Sequence, residues 1–119
     1  FNNFSIETAY FYIKGDASDL WLGDIKNYPN PFDVETSIKF RHNLDIPFDA
    51  TINIYDINGK LVESISETLY NKFADEVKWN GKDVNGVPIN SGSYYIQVNL
   101  TDKNNKKITK SGILSLKVK

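Results

Sequence analysis

The chain has 119 residues, a formal charge of −1 and a pI near 5.8, so it carries no electrostatic footprint for nucleic acid or an anionic membrane. It has no Cys, which excludes disulfides, thiol catalysis and thiolate metal sites. Hydrophobic residues make up 40% and charged residues 24%, the balance of one domain with a real core. The apolar runs are far too short to span a bilayer, so the chain is not expected to cross a membrane itself.

The chain opens Phe1-Asn2-Asn3 with neither Met nor a basic leader, which reads as a fragment boundary. Residues 8–13 read as a strand, 15–19 as a linker, and 20–22 are apolar again. We therefore divide the chain into residues 1–24, a linker or extra edge strand from a preceding region, and residues 25–119, one domain.

From residue 37 onward the pattern has period two. Ile38, Phe40 and His42 share one face of a strand, and Ser37, Lys39 and Arg41 the other. Residues 51–55 place Ile52 and Ile54 inward. Asn58-Gly59 is a favoured tight-turn pair, with residues 60–66 as the return strand. A strict two-residue turn would put Asp56 and Glu63 on the inward face, so a longer loop, a bulge or a partly buried face is expected. Residues 67–75 could be a short helix.

Residues 76–79 form a short strand with Val77 and Trp79 on one face. A turn-rich region with three glycines and Pro88 follows. The clearest strand is 93–100, with Tyr94, Ile96, Val98 and Leu100 inward. Residues 102–107 read as a polar hairpin loop. Residues 108–118 close the chain with Leu114, Leu116 and Val118 inward. About seven antiparallel strands of this kind predict an all-β, immunoglobulin-like two-sheet β-sandwich. Its core is expected to contain Ile38, Phe40, Ile52, Ile54, Trp79, Tyr94, Ile96, Val98 and Leu116.

Catalytic chemistry has little to stand on. His42 is the one histidine. A general base or lone ligand is the sharp reading, and a strand-end histidine at the sandwich edge is the plain one. Residues 80–86 alternate oxygen-bearing side chains as a Ca²⁺ loop does, but Lys82 sits at a ligand position and no Glu closes the loop. A turn is the better reading, and no metal or cofactor is expected. Trp21, Trp79, Tyr94 and Tyr95 could make a sugar-stacking platform, yet Trp79 and Tyr94 fall on inward faces.

Several segments, in order from residue 27 to residue 119, resemble one family. They are Asn27-Tyr28-Pro29-Asn30-Pro31-Phe32, then Ile54-Tyr55-Asp56-Ile57-Asn58-Gly59-Lys60-Leu61-Val62, then Trp79-Asn80-Gly81-Lys82-Asp83-Val84-Asn85-Gly86, then Ser91-Gly92-Ser93-Tyr94-Tyr95, and the Lys-containing strand 110–119. Together they resemble the FlgD-type immunoglobulin-like domain at the C-terminus of type IX secretion cargo in Bacteroidetes. Phe40-Arg41-His42-Asn43 narrows the resemblance to C-terminal domains of the sortase subunits of that system (PorU), whose catalytic Cys and His lie in another domain. The two prolines of the box are expected to hold the entry to the sandwich extended and rigid. Gly59 is expected to supply the hairpin, and Gly81, Gly86 and Gly92 positive φ or close approach.

The resemblance implies a non-catalytic sorting and anchoring domain. It would be read by the type IX machinery, dock on the outer-membrane shuttle protein PorV, and travel through the periplasm to the cell surface. The expected reading surface is the last hairpin, 93–119, with Lys103, Lys106, Lys107, Lys110 and Lys117. A solvated, aggregation-resistant edge is the plain reading of those lysines. The alternatives are a carbohydrate-binding or adhesive module and a flagellar hook-cap domain.

Overall fold

The period-two stretches become strands in the computed structural model, which describes residues 20–30 and 35–117. In chain order they are β1 (Lys26–Tyr28), β2 (Thr36–Arg41), β3 (Phe48–Tyr55), β4 (Leu61–Leu69), β5 (Ala74–Trp79), β6 (Gly92–Thr101) and β7 (Lys107–Leu116). They form a three-stranded sheet, β1-β2-β5, and a four-stranded sheet, β4-β3-β6-β7. Every neighbouring pair is antiparallel. This is the expected two-sheet sandwich of seven strands.

The inward faces are the apolar ones. Ala50, Ile52 and Ile54 stand opposite Leu100, Val98 and Ile96, while Ile38 pairs with Val77 on the facing sheet. All are essentially solvent-free. Each such aliphatic side chain contributes roughly 1.5–3 kcal/mol by leaving water. Every residue of the expected core is buried. Phe48 and Ala50 join it by carrying the alternation of β3 back to its first residue, and Leu22, Leu44 and Leu69 join it from segments that have little or no alternation of their own.

Residues 20–24 pack with this sandwich. Gly23 N–H donates to the Arg41 carbonyl at 2.7 Å, Asn43 N–H to the Trp21 carbonyl at 3.3 Å, and Leu22 stands opposite His42. The strand expected at 8–13, and Val118, lie outside the described residues.

Several expectations need correction. Residues 67–75 form no helix: β4 runs to Leu69 and β5 starts at Ala74. Leu69 is buried opposite Phe48, and the β3–β4 ladder outweighs a weak local helical tendency. The chain bends at Pro29–Asn30 instead of running on extended, because Asn30 turns toward the end of β7. Pro31 and Phe32 lie outside the described residues. Gly92 has neither positive φ nor a close neighbour: a Cβ there would meet nothing within 4 Å. It is simply the exposed first residue of β6. The β3–β4 hairpin has the foreseen irregularity, a register shift between Ile54 and Tyr55, which leaves Glu63 half-buried.

Candidate functional site

The segments at the two ends of the motif series meet at one end of the sandwich. Asn30 Nδ2 donates to the Ser115 carbonyl at 2.7 Å, and Lys117 N–H donates to Asn30 Oδ1 at 2.9 Å. The backbone groups can each play only one role, so the amide orientation is fixed. A side-chain amide thereby replaces a neighbouring strand on the outer edge of β7, where edge groups otherwise lack partners. Pro29 adds to the joint: its carbonyl accepts from Thr36 Oγ1 at 2.9 Å.

The β6–β7 hairpin that Asn30 holds is pinned on its outward face by uncharged polar side chains. Asn53 and Asn99 both donate through Nδ2 to Gln97 Oε1, at 3.2 and 3.3 Å. Thr109 Oγ1 donates to Asn99 Oδ1 at 2.7 Å, and Ser64 Oγ to Asn53 Oδ1 at 2.7 Å. The network crosses all four strands of the sheet. Toward the Asn30 end of the same face, Tyr95 pairs with Ile113, and both are exposed.

The structure does not gather the five lysines into one patch. Lys103 and Lys106 lie exposed in the β6–β7 turn, and Lys107 opens β7 beside them. Lys110 Nζ stands 3.6 Å from Asp24 Oδ1. Lys117 lies past the far end of β7, a strand of 10 residues and so about 30 Å long. A cationic tip and an Asn30-bound end therefore bracket the hairpin.

Three turns share one architecture. Asp56 Oδ1 accepts from Asn58 N–H and Lys60 N–H, Asp83 Oδ1 from Asn85 N–H and Val87 N–H, and Asp102 Oδ1 from Asn104 N–H and Lys106 N–H. The fourth residue takes positive φ each time: Gly59 at 84°, Gly86 at 79° and Asn105 at 64°. The Asp-x-Asn-(Gly/Asn)-x spacing is visible in the sequence as a repeated pentapeptide, a signal the sequence reading did not use. It also explains residues 80–86, where the Asp83 carboxylate holds backbone N–H groups. Gly81 is likewise at positive φ, 73°.

Trp79 is buried between the sheets, with Nε1–H donating to the Lys82 carbonyl at 3.0 Å. Tyr94 sits near the start of β6 and its Oη donates to the Asn90 carbonyl at 2.6 Å, the tyrosine-corner arrangement of immunoglobulin-like sandwiches. Burial, and secondarily the negative charge of Asp56, push the Tyr94 phenol above its ordinary pKa. Neither residue is free to stack on a sugar.

His42 is 1% exposed. Leu44 N–H donates to Nδ1 at 3.1 Å, so that nitrogen is unprotonated. Nε2 then carries the proton and donates to the Asn71 carbonyl at 2.8 Å. With both nitrogens engaged and the ring 4.5 Å from Phe48 by centroid, His42 is a structural residue. Among the described residues no group of three His, Asp or Glu could hold a metal.

Residues 26–104 match the FlgD Ig-like domain family. No curated protein matches the chain. Among solved structures, dimeric latent PorU from Porphyromonas gingivalis is similar over 92% of this chain, at 21% identity and a TM-score of 0.70. FlgD from Xanthomonas campestris, described for its part in hook capping, is similar over 79% at 20% identity and a TM-score of 0.59. FlgD from Helicobacter pylori is similar over 79% at 18% identity and a TM-score of 0.51. The chain spans 10% of the PorU chain and 67% and 71% of the two FlgD chains. At these identities the likeness is one of fold.

Proposed function

The chain belongs to the FlgD Ig-like domain family, and from that premise we propose that this non-catalytic β-sandwich is a C-terminal sorting and anchoring domain of the type IX secretion pathway. In this reading it carries its parent protein through the periplasm to the outer-membrane surface, with the shuttle protein PorV as its docking partner. The parent is best matched by a PorU-type sortase, whose catalytic residues would lie outside this chain.

One observation carries the reading. The proline box and the last strand, the two extremes of the sorting-domain motif series, are joined through Asn30 to Ser115 and Lys117. A partner that grips the closing strand would thereby test whether the whole domain, box included, has folded. The lysine-bearing β6–β7 turn offers exposed groups for recognition at the opposite tip.

Binding of the chain to detergent-solubilised PorV, followed by surface plasmon resonance, tests this. Saturable binding that Lys106→Glu with Lys107→Glu weakens supports both the partner and the reading surface. Binding unchanged by that pair moves the surface elsewhere. No binding by the folded chain counts against PorV as the partner.

A further inference from the structure

On the outward side of the three-stranded sheet lies a groove of ≈ 950 Å³. Its floor is a register row, Lys26 opposite Lys39 opposite Glu76, with Arg41 further along β2. Aromatic rings stand at two places on its walls, Trp21 and Tyr28, 49% and 68% exposed.

The Trp21 ring is held in place. A Cβ on Gly23 would stand 2.9 Å from Trp21 Cη2, 3.1 Å from Cζ2 and 3.3 Å from Arg41 Cβ. Only the absence of a side chain at Gly23 lets the indole lie there, close against the strand that carries Arg41. The Trp21 backbone N–H is fixed by Asn43 Oδ1 at 2.7 Å. At the other aromatic, Lys39 Nζ lies 5.3 Å from the Tyr28 ring centroid.

The carboxylates lining this groove all have partners. Asp24 has Lys110. Glu76 accepts from Ser37 Oγ at 3.0 Å and lies 3.9 Å from Lys39 Nζ. Asp75 accepts from Asn71 N–H, Asn71 Nδ2 and Glu76 N–H. Lys26 and Arg41 have no carboxylate partner among the described residues. Asp75 is held by N–H groups alone and keeps its charge. The lining, four cations against three carboxylates, is therefore net positive by one, with Lys26 and Arg41 standing outside these ion pairs between the two exposed rings.

From this combination we infer that the groove binds an acidic oligosaccharide, the rings stacking on sugar faces and Lys26 and Arg41 pairing with carboxylate or phosphate groups. Arg is suited to a planar carboxylate by its paired donors, and flat aromatic faces suit a ring that is apolar above and polar at its rim. A peptide has less to grip. The floor is the face of strands already hydrogen-bonded to each other, so it offers no open edge for strand addition. Charged residues on it deny an amphipathic helix an apolar bed. The groove meets the β6–β7 hairpin at Lys110, which Asp24 holds, and the Trp21, Lys26 and Arg41 variants test it apart from the Lys106 and Lys107 variants of the sorting proposal.

The test is calorimetric titration of the 119-residue chain with a hexagalacturonate, a glucuronate-containing oligosaccharide and a phosphomannan oligosaccharide. Neutral maltohexaose and hexaglutamate serve as comparisons. At least one acidic sugar should bind, about tenfold or more tighter than either comparison ligand. Trp21→Ala, and separately Lys26→Glu with Arg41→Glu, should each weaken it by about tenfold, while Lys106→Glu leaves it unchanged. Tyr28→Ala provides an aromatic variant at a more exposed position should Trp21→Ala lower the melting temperature. No binding of any of the acidic sugars, equal binding of hexaglutamate, or affinity unchanged by the charge reversals would overturn the inference.

Discussion

Asn30 is hydrogen-bonded to Ser115 across 85 positions of sequence, and the same amide receives the N–H of Lys117. The contact ties the segment leaving the three-stranded sheet to the closing strand of the other. It acts at the place where an edge strand would otherwise fray first.

Asn30→Ala removes both bonds. Stability should fall by about 1–2 kcal/mol in denaturant melts, the usual worth of a pair of partly exposed hydrogen bonds. Asn30→Asp is the sharper variant, since a carboxylate can still accept from Lys117 but cannot donate to Ser115. Hydrogen exchange should show the Lys117 amide losing protection in the alanine variant. Full protection there would mean that β7 holds its end without Asn30.

Tyr94→Phe deletes the hydroxyl and leaves the Asn90 carbonyl short of a donor, at a cost of about 1–3 kcal/mol. The raised phenol pKa adds a pH signature. Folding favours the neutral phenol, so this contribution is complete below the ordinary tyrosine value. It declines as pH rises through the higher folded value, where the unfolded chain ionises first. The wild type should therefore lose stability on the alkaline side of pH ~10 more steeply than Tyr94→Phe does. Parallel curves in melts from pH 8 to 11 would contradict this.

The three Asp-anchored turns differ at their positive-φ position, Gly59 and Gly86 against Asn105, and that difference predicts opposite effects. Gly59→Ala places a Cβ at φ 84° and should cost about 1 kcal/mol or more. Asn105→Gly relieves the equivalent site in the third turn and should be neutral or stabilising by up to ~1 kcal/mol. Thermal melts of the two variants moving in the same direction would show that φ is not what these positions select for.

Trp79→Ala empties the space between the sheets and breaks the bond to Lys82. A loss of roughly 3–5 kcal/mol is expected in urea titration.

The sandwich was legible wherever one face is wet and the other dry. Ile52, Ile54, Tyr94, Ile96 and Val98 announce their faces by alternation alone, because a one-residue slip would bury Asn53 and Gln97. Leu22 was missed for the opposite reason, since it enters the core from a short segment with no period to read. Phe48 instead continues the alternation of Ile52 and Ile54 toward the start of β3 and was missed because that strand was expected to begin at residue 51. The lysines of the last hairpin looked like one cluster because they are near in sequence, but a strand of that length separates Lys107 from Lys117. Asn30 could be recognised as part of a motif. Its partner could not, since no local rule connects residue 30 to residues 115–117.

Surface display tests the central claim most directly. A reporter carrying an export signal and followed by residues 1–119 is expressed in a bacterium with a type IX system, and surface reporter is measured by protease shaving of intact cells. The account predicts that the reporter is shaved from wild-type cells and is protected in a strain lacking the translocon. A reporter that remains in the periplasm with its C-terminal domain folded would contradict the sorting function for this chain.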